Sequence, residues 1–283
     1  MRIRNLLFPI DFSERSRATA PFVYALAKLY DSRVILVHAY QAAPPFPEVA
    51  GVTVDDCGAL EPITQRRLRQ FAEEQLPNVN TLLIAAAGSP SDVIRTEATA
   101  RRVDLVAMPT HGYGGFRRLL IGSVTARMLR KLDVPIWTDA HVPEPSHRAH
   151  PQPRRILAAI DLKPQSQRAA EFALQLGRDT QAEVEVVHAV AEGVTVPEAA
   201  GPHLEEIVEV AASTQAVEID RRFSTVDLRM GDPNPAIRLR DLALRRRADL
   251  MVIGRGAIQN RLDGFSAHAY DIIRESPCPV ISV

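Results

Sequence analysis

The stretch Met108-Pro-Thr-His-Gly-Tyr-Gly-Gly-Phe-Arg-Arg-Leu-Leu-Ile-Gly-Ser-Val-Thr is the part of this chain best equipped to meet an anion. Its glycines let the backbone approach a ligand closely, because no Cβ stands in the way. It runs into an amphipathic segment beginning at Ser123. A helix start there offers unpaired N–H groups, the positive end of the helix dipole and a serine hydroxyl. His111 is the histidine best positioned to touch a phosphate, and ordering its own loop is the other reading. Arg117 and Arg118 read as facing water. Glycines before a helix also serve as plain turn residues, so this loop alone names no ligand.

Two more segments bear on the same chemistry, Pro9-Ile10-Asp11 and His38-Ala39, each ending a short apolar run. Asp11 is suited to capping the helix that follows and to accepting hydrogen bonds from a ligand, and the two roles are compatible. His38 and His188 read as hydrogen-bonded packing residues. Nothing resembles a catalytic engine. The chain has no GxxxxGK[ST] loop, no lysine near the cradle, no GxSxG elbow and no paired-carboxylate metal motif. The expectation is a binding protein without catalytic residues.

The elements that must position these residues alternate in type. Leu6–Ile10, Val34–Ala39, Thr81–Ala87, Leu105–Met108 and Val134–Thr138 are strand-like runs rich in Val, Ile and Leu. Helical patterns lie between them: Ser13 to about Tyr30, Glu61–Gln75, a third from Pro90, and Ser123–Lys131. Residues 41–60 and 109–121 read as loops. Continuous apolar strands separated by helices predict an α/β fold whose parallel sheet carries helices on both faces. With right-handed crossovers this is a doubly wound, Rossmann-like or flavodoxin-like layer of five strands. Its ligand crevice lies outside the carboxyl ends of the strands, where the winding reverses. That geometry gathers Pro9, Asp11, Ala39 and the loop after the fourth strand at one edge.

The same unit occurs twice. Residues 5–40 overlay residues 155–190 without a gap, matching Leu7 with Leu157, Asp11 with Asp161, Ser16 with Ser166 and Val37-His38-Ala39 with Val187-His188-Ala189. Further along, Asp104-Leu-Val mirrors Asp249-Leu-Met, and Val134-Pro-Ile mirrors Cys278-Pro-Val. Internal repetition on this scale organises the whole reading. It divides the chain into domains at 1–140 and 154–283, joined by residues 141–153. That joint is rich in proline and lacks apolar periodicity, so it reads as an extended linker. Its histidines His141, His147 and His150 have only Glu144 for company and read as linker rather than metal ligands.

At 283 residues, two domains of ordinary size are expected. A formal net charge of zero argues against a surface that neutralises nucleic-acid phosphates. Cys57 and Cys278 form no CxxC, which argues against a disulfide framework or a zinc site. Asp11 and Glu14 interrupt the first apolar run, and no uncharged stretch reaches membrane-spanning length. A cytoplasmic protein without membrane contact is expected.

The opening NLLFPIDFSERS and the stretch MPTHGYGGFRRLLIGSVTARMLRKLDVPIW resemble the two signature regions of the universal stress protein family. The resemblance covers nearly the whole chain and implies a tandem member with a role in stress response. ATP-binding members carry Gly-x2-Gly-x9-Gly-(Ser/Thr) after the fourth strand. Here Gly122-Ser123 and Gly112 match, while the first glycine falls at position 109, occupied by proline. The resemblance implies that Asp11 and Ala39 border the adenine and Met108 the base or ribose. It implies that Gly112, Gly122, Ser123 and Val124 face the phosphates, with Pro9, Pro109 and His111 alongside. ATP, with or without Mg2+, is the implied cofactor of the first half. Terminal strands pair across dimers in this family, so residues 134–138 are expected to pair with 279–283 inside the chain, a pseudo-dimer that leaves a further homodimer open.

The second half departs from the pattern. Its loop from Val252 is one residue shorter, and Ser266-Ala267, followed by His268, replaces the Gly-Ser pair. Asp161, Ala189 and Gly254 remain, so the expectation is a crevice that does not hold a triphosphate in the family's manner. Two alternatives to an ATP-binding signalling module stay open. One is a nucleotide-independent interaction or scaffold protein, favoured by Pro109 and Ser266-Ala267. The other is slow ATP hydrolysis with a metal brought by the nucleotide.

Overall fold

The computed structural model describes residues 2–41, 57–110, 121–139, 151–160, 166–190, 200–215, 223–229, 234–255 and 265–283. Linker residues His141, His147 and His150, the loop residues His111 and Gly112, and Asp161 lie outside them. The chain forms two compact units. One comprises Arg2–Tyr113 and Ser123–Val134; the other comprises Pro135–Val283 with Gly114–Gly122 and Met1.

The first unit runs β1 (Asn5–Pro9), α1 (Glu14–Tyr30), β2 (Arg33–Tyr40), α2 (Cys57–Gln75), β3 (Thr81–Ala87), α3 (Pro90–Ala100), β4 (Leu105–Ala107) and α4 (Ser123–Lys131). Strand order is β3-β2-β1-β4, and the pairs β1–β2, β1–β4 and β2–β3 are all parallel. Leu6, Leu7 and Phe8 of β1 and Val34 to Val37 of β2 are buried on both faces, as helices over both sides require. β1 pairs with β2 on one side and β4 on the other, so the winding reverses between β1 and β4. Helix α2 starts at Cys57, ahead of the expected Glu61, and encloses Pro62. Proline is at home in a first helical turn, so Pro62 signals a later start than the structure has.

The second unit begins with β5 (Ile136–Thr138), the fifth strand of the first repeat. It continues with β6 (Arg155–Ile160), α5 (Ser166–Thr180), β7 (Glu183–Val190), α6 (Ala200–Gln215), β8 (Phe223–Arg229), α7 (Pro235–Arg246), β9 (Leu250–Ile253), α8 (Phe265–Glu275) and β10 (Val280–Ser282). The order β5-β10-β9-β6-β7-β8 is parallel between β10 and β9, β9 and β6, β6 and β7, and β7 and β8. The antiparallel pair is β5 with β10, Ile136 to Thr138 against Ser282 to Val280. The expected pairing of residues 134–138 with 279–283 is therefore present, beginning at Ile136, because Pro135 has no N–H for a ladder. Trp137 is 3% exposed, and the hydroxyls of Thr138 and Ser282 donate across the pair to the Val280 and Ile136 carbonyls. An apolar strand edge is thus covered.

Duplication extends to details the sequence match does not display. Asp104 Oδ2 accepts the N–H groups of Arg4 and Asn5 at 2.7 and 2.8 Å, and Asp249 Oδ2 accepts those of Arg154 and Arg155 at 3.0 Å each. The left-handed residues recur too: Asp31 and Gln181 after the first helix of each repeat, Arg102 and Arg247 after the third.

Candidate functional site

The carboxyl ends of β1, β2 and β4 meet at the point where the winding reverses. Pro9 ends β1, Ala39 lies in β2 in register with Ala86 of β3, and Met108 and Pro109 leave β4. Met108 and Pro109 are buried, while Pro9, Asp11 and Ala39 are half-buried.

Asp11 is positioned by its own turn. Its Oδ1 accepts the Ser13 N–H at 3.0 Å and the Ser16 hydroxyl at 2.8 Å, and its own N–H donates to Ser16 Oγ at 3.3 Å. Ser13 is the N-cap of α1, its Oγ accepting the Ser16 N–H at 3.3 Å. The cap expected of Ser13 is thus present, while Asp11, for which capping was also expected, lies two residues before the N-cap and accepts the Ser13 N–H and the Ser16 hydroxyl instead of a helix N–H. The sequence match between Ser16 and Ser166 marks a residue whose part here was not anticipated. Ser16 is fully buried and donates to the carboxylate.

His38 is a packing residue, as expected. Its Nδ1–H donates to the Ile10 carbonyl at 2.8 Å, which fixes the tautomer, and its ring lies 4.6 Å from the Phe12 ring. Phe12 has φ of 63°, a left-handed conformation uncommon outside glycine. The Arg67 guanidinium of α2 sits 4.1 Å over the other part of this cluster, the Phe12 ring itself, and Phe71 meets Phe12 edge-on at 6.4 Å. No spacing in the sequence pointed to Phe12 or Arg67.

Beyond the loop that leaves β4, α4 begins at Ser123, which is exposed; Gly122 before it and Val124 after it are half-buried. The buried Thr125 hydroxyl donates to the Pro109 carbonyl at 2.9 Å and ties the loop leaving β4 to the first turn of α4. Thr125 is a second residue that sequence reasoning missed, although it lies two residues after the Gly-Ser pair. The first N–H groups of a helix have no partner inside it. Those of α4 lie at the end of the loop that leaves β4, and the Asp11 carboxylate lies just beyond the carboxyl end of β1, the strand beside β4.

The corresponding edge of the second unit is built differently. Gly254 stands where the first repeat has Pro109, and among the described residues only the Ala169 Cβ lies within 4.0 Å of where its own Cβ would be. Arg255, 7% exposed, stands where the first repeat has the buried Thr110. Ser266 and Ala267 fall within α8. A buried guanidinium at this edge is a difference the loop alignment contained but did not draw attention to.

A sequence model of the universal stress protein family matches residues 2–138 and again 153–283. The chain belongs to the universal stress protein family. Individual universal stress proteins match one half at a time. One from Thermus aquaticus, encoded 3' of a QAH/OAS sulfhydrylase, is 27% identical over 138 residues, covering 47% of this chain and 96% of its own. MJ0577 of Methanocaldococcus jannaschii is 26% identical over 152 residues, again 47% of this chain and 92% of its own. A universal stress protein structure from Archaeoglobus fulgidus superposes over 99% of this chain and 96% of its own, with a TM-score of 0.66 at 19% identity, a likeness of fold. No helix among the described residues of this universal stress protein is long and apolar enough to cross a membrane.

Proposed function

We propose that the first repeat binds an adenine nucleotide, ATP foremost, at the crevice formed by β1, β2 and β4, and that the chain acts in the cytoplasm as a stress-response binding or signalling module without a catalytic step. The observation that carries this reading is the anchoring of both walls. Asp11 is fixed by Ser13 and Ser16 on one side, and the start of α4 is fixed through Thr125 and Pro109 on the other. A preorganised crevice loses less conformational entropy on binding. Membership of the family supports the choice of ligand. In this reading Asp11 and Ala39 border the adenine, Met108 borders the base or ribose, and the N–H groups of Ser123 and Val124 meet the phosphates with Gly112, Gly122 and His111. Mg2+, where present, arrives with the nucleotide.

A second reading, a nucleotide-independent interaction protein, is favoured by Pro109, which is buried and has no N–H to offer a phosphate. Purification without added nucleotide, followed by denaturation and chromatography of the released small molecules, separates the two. An adenine nucleotide in amounts approaching one per chain supports the first reading; its absence, together with no binding of added ATP, ADP or AMP with magnesium, supports the second.

A further inference from the structure

We propose that Arg67 is a positioning residue for the nucleotide crevice, acting through Phe12 on the turn that aims Asp11. The inference rests on the nucleotide reading above for its ligand, but its structural half can be tested without one. Phe12 immediately follows Asp11 and takes a left-handed backbone conformation at φ of 63°, which carries a steric cost for any residue with a Cβ. Such a conformation persists where surrounding contacts over-determine it. Three contacts hold the Phe12 ring: the His38 imidazole at 4.6 Å, the Phe71 edge at 6.4 Å and the Arg67 guanidinium at 4.1 Å over its face. His38 also grips the residue before Asp11, through the Ile10 carbonyl.

Of the three, Arg67 is the contact from the exposed side. It belongs to α2, is solvent-exposed, and has no ion-pair partner among the described residues, although Glu74 lies about two turns further along the same helix and pairs instead with Arg17. Its contact among these groups is with the aromatic face, the geometry of a cation–π pair. Arg67 therefore closes the stack from the solvent. With the guanidinium gone, the Phe12 ring loses its outer face contact, and the Asp11-to-Ser16 turn is freed to sample other conformations. The carboxylate that borders the ligand then points correctly for a smaller fraction of the time, and apparent affinity falls by that fraction.

The test uses the full chain with Arg67→Ala and Arg67→Lys, read by amide hydrogen exchange without nucleotide and by ATP titration. Exposed cation–π pairs have a worth that corresponds to about a two- to five-fold change in an equilibrium. In Arg67→Ala, exchange at the Ser13 and Ser16 amides should speed up by about that factor while the Leu7 amide in β1 is unchanged, and ATP affinity should fall similarly. Arg67→Lys, which keeps a cation over the ring, should recover most of both. Unchanged exchange at Ser13 and Ser16, or equal acceleration at Leu7, overturns the proposal. A wild-type protein that binds no nucleotide overturns the functional reading, while local acceleration at Ser13 and Ser16 would still establish that α2 holds the turn.

Discussion

The Thr125 hydroxyl donates to the Pro109 carbonyl at 2.9 Å, so the loop leaving β4 is tied to the first turn of α4 by the residue that departs from the family's glycine pattern. Proline contributes its carbonyl here and withholds an N–H. Pro109→Gly keeps the carbonyl and adds a donor where the family has one. Hydrogen bonds to charged groups contribute about 1.5–3 kcal/mol, and about 1.4 kcal/mol is tenfold in affinity. ATP affinity measured by calorimetry should therefore rise by about tenfold in Pro109→Gly. An unchanged or weaker affinity would mean that position 109 gives the phosphates nothing.

Asp104 and Asp249 make matching pairs of hydrogen bonds at equivalent places in the two repeats. Each replacement by alanine leaves two N–H groups at or near the surface to water, and each should destabilise its unit by about 0.5–1.5 kcal/mol. Denaturant unfolding of the two single variants checks this. The double variant should show the sum, because the substituted groups share no partner.

Gly177 of α5 lies against Val184 of β7 so closely that an added Cβ would overlap the Val184 Cγ2. Alanine is the better helix former by about 1 kcal/mol, yet Gly177→Ala should lower stability by about 1–3 kcal/mol through overpacking. Adding Val184→Ala should recover part of that loss in thermal unfolding. If Gly177→Ala alone stabilises the protein, the close approach of α5 to β7 is wrong.

Cys278 is fully buried, and burial pushes its thiol pKa up from the ordinary 9.0 to about 12. Because the folded state disfavours the thiolate, this group's contribution to stability is intact below pH 9 and is lost as pH rises through 12. In that window stability should fall by about 1.4 kcal/mol per pH unit from this group. In a Cys57→Ser background, native protein should resist alkylation at pH 8 and react once unfolded. Rapid native labelling would contradict the burial.

The doubly wound fold and its duplication were legible because they rest on repeated apolar runs, which parallel strands with helices on both faces demand. Asp104-Leu-Val and Asp249-Leu-Met announced the repeat without announcing the hydrogen bonds the two aspartates make. Ser13 as a cap was legible because capping is local. Phe12 and Arg67 were not, since one lies in a turn and the other 55 residues away on a helix face, and only tertiary packing brings the ring beneath the guanidinium. Gly177 was hidden for a related reason. The first repeat has Ala27 over Val34 at the same positions, and nothing in the sequence tells that α5 lies nearer its strand.

Titration calorimetry of the full chain with ATP and magnesium, wild type against the double variant Gly122→Val with Ser123→Ala, tests the central claim most directly. Binding at about one nucleotide per chain that disappears in the double variant while the unfolding temperature holds is the predicted result. Equal heats in both proteins, or none in the wild type, would contradict a nucleotide held at the start of α4.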